Sequence, residues 1–360
     1  MSLDYNRPKR VRLVDIAEKV GVSRRAVSAV LLGTGGNRVG VGDQKAKEIR
    51  RVAKSMGYQP NLAARQLVGK RSHTFGLLVA SAGDPLRSFL IQHLDEEAVA
   101  HGNRTLIGNT VIAPDRFEKT VQLFTNSGVD GVLCAVHNWL PGDRAALLQQ
   151  HPCTVFYEDP GIPGAAFVTA DRVSAARQAT AYLLSQGRRR IGLALTAKSR
   201  PSAKERLQGY KRALRDQDEQ FRSDLLYYAS PKYKDPFAWH NAESLKWSFP
   251  EDVIDDLIEK LVVGQSADAI IAHDDYWAAT LIKLLHRRGV RVPDDVAVVG
   301  YLNHYLADFT DPPLTTIDLS HLAAAAEMVS LLEKMISGEE LSPDQLQVRI
   351  EPKLIVRQSA

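Results

Sequence analysis

The sequence predicts a multidomain chain: an all-α helix-turn-helix head carried on an α/β body of two doubly wound parallel-sheet lobes. Three observations predict it. Residues 13–31, LVDIAEKVGVSRRAVSAVL, carry apolar residues at helical spacing on either side of one glycine. From Phe75 onward, apolar strands alternate with amphipathic helices in two successive series. Charge is also segregated. Residues 1–71 hold sixteen Lys/Arg against five Asp/Glu, a net +11, while the rest holds thirty against thirty-seven, a net −7. A basic head on an acidic body suits a small module facing a polyanion, joined to a large one that does not.

In the two-helix stretch, Ile16, Ala17, Val20, Val22, Val27 and Val30 give each helix one buried stripe. Ala17 is small enough for a close crossing, and Gly21 supplies the left-handed turn residue. Ser23 is placed as N-cap of the second helix. Arg24 and Arg25 then occupy its exposed N-terminal end, the end that reaches base edges in a major groove. An αα-hairpin with a solvated charged face is the alternative for a motif this short.

The connection GTGGNRVGVGD, Gly33 to Asp43, has no following strand or GK[ST] signature and is not a phosphate loop. Asp43 is expected to cap a third helix, with Ala46, Ile49, Val52, Ala53 and Met56 inward and Gly57 as terminator. Its outer face carries Lys45, Lys47, Arg50, Arg51 and Lys54, placed for phosphates. The residue before Pro60 avoids helical angles, so the third helix stops there. Asn61 can cap a short segment, Leu62 to Leu67, ended by Gly69. Such a piece is too short to be stable alone in water and would form only against a partner surface. The alternative is a flexible linker.

In the body, FGLLVA (75–80), TLIGNT (105–110), VDGVLCAV (129–136) and TVFYED (154–159) read as strands. Helices are expected over Pro85–His101, with Phe89, Leu90, Leu94 and Ala98 inward, and near Arg116–Ser127. A second series starts near Phe167: helix 173–186, strand 189–195, helix Lys204–Asp216, helix 251–263, strand 268–274, helix 276–288 and strand 295–301. Such sheets bind ligands at the carboxyl ends of their strands, so two facing lobes make a cleft. The aromatic-rich segment 227–249 reads as a satellite of the core.

Composition is that of an ordinary globular protein, 44% hydrophobic and 24% charged over 360 residues. No run approaches the length of a membrane span, and no secretory leader is read at the start. A cytoplasmic location without a membrane partner is therefore expected. Cys134 and Cys153 make no CxxC pair and read as reduced core residues. No cofactor or metal is expected. An enzyme is disfavoured, because HExxH, GxSxG and spaced ligand sets are lacking. Although His273, Asp274 and Asp275, or Glu158 and Asp159, invite acid/base chemistry, adjacent strand residues point to opposite faces. A secreted cleft-binding carrier is the other alternative, opposed by the basic head.

The pieces LVDIAEKVGVSRRAVSAVL, MGYQPNLAARQL, VDGVL, ERLQGYKRAL, RRGVRVPDDVAVVGY, DPPLTTID and EPKLIVRQS, in that order, resemble the LacI/GalR family of bacterial transcription regulators from about Val11 to Arg357. The resemblance implies a periplasmic-binding-protein-like body and a homodimer on a pseudo-palindromic double-stranded DNA operator. It implies repression modulated by a small-molecule effector in the interlobe cleft. Ser23, Arg24, Arg25 and Ser28 match DNA-contacting positions. Asn61, Ala64, Arg65 and Leu67 match a hinge helix lying in the minor groove, with Leu67 as the wedge between base pairs or, alternatively, an ordinary packing leucine. Ala29 stands where arginine is usual and Leu32 where asparagine is common, and the loop 33–42 is longer than usual.

Effector positions match Asp84, Arg87, Arg206, His273, Asp274 and Asn303. Arg206 could instead pair with Glu205 or Asp218, and Asp274 could instead cap the following helix. Leu302 cannot make the carboxylate contact that sugar-binding members use, and Arg87 replaces a stacking ring. Both point from a sugar toward an acid sugar or phosphorylated metabolite. Implied boundaries are 1–60 for the head and 61–72 for hinge and linker. Residues 73–169 plus 320–345 make the first lobe, and 170–319 plus 346–360 the second. A dimer is expected rather than a tetramer, since no leucine heptads follow Arg357.

Overall fold

The computed structural model describes residues 11–33, 40–58, 71–80, 88–110, 114–136, 142–196, 198, 200–229 and 251–360. Residues 11–58 form a head of three helices, α1 (Leu13–Val20), α2 (Arg24–Leu32) and α3 (Asp43–Ser55). Each helix contributes one fully buried branched residue, Ile16, Val27 and Ile49. They meet in one core with Ala17, Val20, Val52 and Ala53. Gly21 takes the left-handed turn expected of it, at φ 71°. Asp43 does not cap α3. Gly42 is the extended cap residue and Asp43 is the first helical one, so its carboxylate acts on the helix dipole from within the first turn.

The first lobe runs β1 (Thr74–Val79), α4 (Ser88–Ala100), β2 (Arg104–Asn109), α5 (Pro114–Ser127), β3 (Gly131–Ala135), α6 (Asp143–Gln150), β4 (Thr154–Tyr157) and β5 (Ala166–Ala170). The second runs α7 (Arg172–Ser185), β6 (Ile191–Leu195), α8 (Pro201–Asp216), β7 (Leu226–Tyr228), α9 (Glu251–Leu257, continued as a π turn to Val263), β8 (Ala269–Ile271), α10 (Asp275–Arg287), β9 (Ala297–Tyr301) and β10 (Thr315–Asp318). The chain then returns to the first lobe as α11 (His321–Ser337), α12 (Pro343–Leu346) and β11 (Gln347–Ile350). It ends in the second lobe with β12 (Lys353–Ile355).

Both sheets are built alike. Their orders are β2-β1-β3-β4-β5-β11 and β7-β6-β8-β9-β10-β12, parallel except for the β10–β12 pair. In register, Phe75 faces Thr105 on one side and Gly131 on the other. Helices cover both faces of each sheet, which is why GVLCA, IGLAL and AVVGY are buried end to end rather than alternating. Helices α7 and α8 approach especially closely at Gly209. A Cβ there would lie 2.1 Å from the Val173 carbonyl oxygen, so the glycine of ERLQGY is a packing requirement.

Three further expectations need correction, and one helix is added. Phe167 lies in β5 of the first sheet, and the second series begins with α7, capped by Asp171 accepting from the Val173 and Ser174 amides at 3.0 and 2.9 Å. Helix α6 was not expected at all. Because β11 pairs with β5, the third crossing between lobes falls at Glu351–Pro352 rather than near 345. Phe89 is half-buried rather than inward like Leu90, Leu94 and Ala98. Cys134 is a buried free thiol, pushed up to about 12 by desolvation, and Cys153 is free and half-buried.

Candidate functional site

Two surfaces carry chemistry. The first is the end of α2. Its cap is built as read, with Ser23 Oγ accepting from the Ala26 amide at 3.1 Å. That bond fixes where the helix starts, and so fixes Arg24 and Arg25 side by side in its first turn, both exposed. Ser28, one turn further on, is half-buried. On α3, Lys47, Arg50, Arg51 and Lys54 are exposed, whereas Lys45 is half-buried and paired with Glu48 at 2.9 Å. Asn61, Ala64, Arg65 and Leu67 lie outside the described residues.

The second surface is the cleft. In each sheet the strand order reverses direction between the first and third strands, β1/β3 and β6/β8, and ligands bind outside that switch point. Asp84 and Arg87, after β1, lie outside the described residues. After β8 come Ala272, His273 and Asp274, at the switch point of the second lobe. Arg206 reaches them from α8, donating through Nη1 to the His273 carbonyl (2.8 Å) and through Nη2 to the Ala272 carbonyl (3.0 Å). Neither Glu205 nor Asp218 pairs with it. The guanidinium also lies 3.7 Å above the Tyr301 ring. Arg206 Nε and the Tyr301 hydroxyl are both buried without a hydrogen-bond partner.

His273 Nδ1 lies 3.2 Å from Arg206 Nη1, so it accepts and the ring proton sits on Nε2. Burial, then the positive charges of Arg206 and Arg200, hold this imidazole well below the usual histidine range and therefore uncharged. Asp274 is buried and Oδ1 accepts from the Trp277 amide at 2.8 Å, which makes it the N-cap of α10. Asn303 donates to Asp318 (3.3 Å) and accepts from Arg357 (3.0 Å).

Reading the sequence missed three features of this floor. Arg172, at the first crossing between lobes, donates to Glu158 Oε1 (2.8 Å) and Thr169 Oγ1 (3.0 Å) and lies 3.6 Å from Glu205. A single arginine after a capping aspartate gives no sequence signal of such a role. Asp275 is fully buried, accepting from the His304 amide (2.6 Å) and the Thr316 hydroxyl (2.5 Å). Burial raises its carboxyl to about 7, against the opposing pull of those two hydrogen bonds. Finally, Phe89 on α4 crosses to the second lobe, its ring centroid 5.4 Å from His304 and 6.1 Å from Tyr305.

Backbone strain marks the same region. Glu158, Leu302, Asn303 and Ser320 all have left-handed φ, at 89°, 110°, 51° and 55°. They follow the carboxyl ends of β4, β9 and β10, and side-chained residues held there cluster at ligand clamps and switches. Among the described residues no group of three or more His, Cys, Asp or Glu could hold a metal, and no helix is long and apolar enough to cross a membrane.

Comparison with known proteins agrees with this geometry. The periplasmic binding protein-like domain family matches residues 180–360. The HTH-type transcriptional repressor PurR of Mannheimia succiniciproducens is 25% identical over 347 residues, covering 96% of this chain and 97% of that protein. The HTH-type transcriptional regulator CelR of Thermobifida fusca is 28% identical over 374 residues, covering 98% and 99%. In fold, a Lac repressor dimer bound to operator and the anti-inducer ONPF superposes with a TM-score of 0.76 at 20% identity, covering 98% of this chain and 99% of that one. The chain belongs to the periplasmic binding protein-like family and, by its helix-turn-helix head, to the LacI/GalR transcriptional regulators within it.

Proposed function

We propose that the chain represses transcription in the cytoplasm as a homodimer on a pseudo-palindromic operator, released or recruited by a small metabolite in the interlobe cleft. The observation that carries this is the pair Arg24 and Arg25, exposed at the capped start of α2 on a head whose charge is opposite to that of the body. Each guanidinium can donate two parallel bonds to guanine O6 and N7. Ser23 and Ser28 would fix the helix against phosphate, and Asn61, Ala64, Arg65 and Leu67 would supply the minor-groove hinge.

Effector binding is assigned to Arg206, His273, Asp274 and Asn303 from the second lobe, with Asp84 and Arg87 from the first. A sugar, acid sugar or phosphorylated metabolite suits a floor whose described carboxylates are already engaged, Glu158 by Arg172 and Asp274 by the α10 amide. A ligand that prefers one lobe arrangement shifts operator affinity by its difference in affinity for the two arrangements. The test is selection from sheared native genomic DNA, followed by mobility shift of the enriched fragment at several salt concentrations, with and without a sugar and sugar-acid panel. Preference for the fragment over random competitor supports the assignment; equal binding to both refutes it.

A further inference from the structure

The chain passes from the linker into the first lobe just before β1. Arg71 is the first described residue within the expected hinge and linker, 61–72. It makes a two-pronged pair with Glu333 on α11, Nη1 to Oε2 at 2.9 Å and Nη2 to Oε1 at 3.1 Å. Arg71 Nε lies 3.5 Å from Asp130, whose two oxygens accept from the Ser72 and His73 amides at 2.7 and 2.8 Å. Asn103 Nδ2 adds a second donor to Glu333 Oε1 at 2.6 Å.

Asn103 and Asp130 directly precede β2 and β3, and Arg71 lies three residues before the start of β1, so the group sits at the amino edge of the first sheet and therefore at the end opposite the cleft. The acceptor, Glu333, belongs to α11, a helix of 17 residues that runs from one end to the other. Helix α11 leaves the second crossing beside the cleft, where His321 meets the Tyr157 ring at 5.9 Å. Twelve residues later it presents Glu333 to Arg71, roughly 18 Å away at the usual helical rise. Burial raises the Glu333 carboxyl, but the Arg71 and Asn103 hydrogen bonds outweigh it and leave the group below the usual glutamate range, charged at neutral pH.

We propose that the Arg71–Glu333 pair is the positioning contact through which α11 links the effector cleft to the DNA-binding linker. A bidentate guanidinium–carboxylate pair fixes orientation as well as distance, which a single lysine contact does not. Movement of α11 against the cleft floor is thus passed to the start of β1 and to the chain entering the head. Coupling of this kind is reciprocal, so DNA held by the head must be felt at the cleft end of α11. The inference rests on the regulatory reading above.

Its test uses the full chain and, as probe, the duplex that the wild type enriches from sheared native genomic DNA. Hydrogen–deuterium exchange is followed in α1–α3 and in the first turns of α11, with and without that duplex, for wild type, Glu333→Gln and the charge-keeping Glu333→Asp. In the wild type, DNA slows exchange in the head and by about threefold or more at residues 321–326. In Glu333→Gln the head is protected as before while the effect on 321–326 disappears, and Glu333→Asp restores part of it. Should Glu333→Gln melt well below the wild type, Arg71→Gln serves as the second variant with the same expectation. Equal protection of 321–326 in wild type and variant, or none in the wild type, overturns the role of the pair alone. Failure of the wild type to enrich any fragment overturns the regulatory reading and this inference with it.

Discussion

Replacing Asp275 by asparagine is expected to stabilise the second lobe at alkaline pH and to leave it unchanged in acid. The carboxyl is completely buried between the start of α10, Thr316 on β10 and the His304 amide. It is also hemmed in by Gly300 on β9, where a Cβ would lie 2.2 Å from Oδ1. Burial moves it from the ordinary 3.8 to about 7. Below 3.8 folded and unfolded chains both hold the proton. Between 3.8 and about 7 the unfolded chain has released it and the native chain has not, so each step up in pH weakens the fold. Above about 7 the loss is complete. At about 1.4 kcal/mol per pH unit, that window corresponds to about 4 kcal/mol.

Asparagine fits the same space, its oxygen accepting from His304 and its amide donating to Thr316, and it never ionises. Urea unfolding followed by circular dichroism from pH 4 to 8 gives the double difference. The variant should match the wild type near pH 4 and exceed it by up to about 4 kcal/mol at pH 8. Parallel pH profiles for the two proteins would show that Asp275 is not protonated in the native state and would refute the reasoning.

Other substitutions probe the remaining links. Arg24→Ala should relax base preference at one step of each half-site by about 1–3 kcal/mol while lowering affinity for random duplex only slightly, as read by binding-site selection. Ser23→Ala should lower head stability by about 1 kcal/mol through loss of the α2 cap, visible as faster amide exchange at Ala26. Gly209→Ala should destabilise the α7–α8 pair by about 1–3 kcal/mol, since the overlap with the Val173 carbonyl exceeds the gain of about 1 kcal/mol in helix propensity. An unchanged melting temperature would contradict that account.

Much of the architecture is legible in the sequence because it depends on period. The head's buried Ile16, Val27 and Ile49, and the doubly covered strands, announce themselves by spacing alone. The features that escape are those in which no period is expressed. Helix α6, DRAALLQQ, fully buries only Leu147, too few residues to write a stripe. Strands β11 and β12, QVRI and KLI, lie at sheet edges and are half-exposed, so their membership is set by partners rather than by their own apolarity. The site divides in the same way. Arg206 and Asp274 are carried by motifs with recognisable spacing, and the Asp274 cap is local. Arg172 with Glu158, and Arg71 with Glu333, pair residues 14 and 262 positions apart, and nothing in either neighbourhood names the other.

The placement of the last two strands fixes an order of events during synthesis. β11 completes the first sheet, and β12 completes the second, where Ser359 Oγ also bridges the Thr315 amide and the Val298 carbonyl at 2.8 and 2.6 Å. Neither receptor half can therefore finish folding on the ribosome until residues 347–359 have emerged. The three-helix head closes on residues no later than Tyr58 and is ready long before them. A nascent chain of this kind possesses its DNA grip well ahead of the part that regulates it.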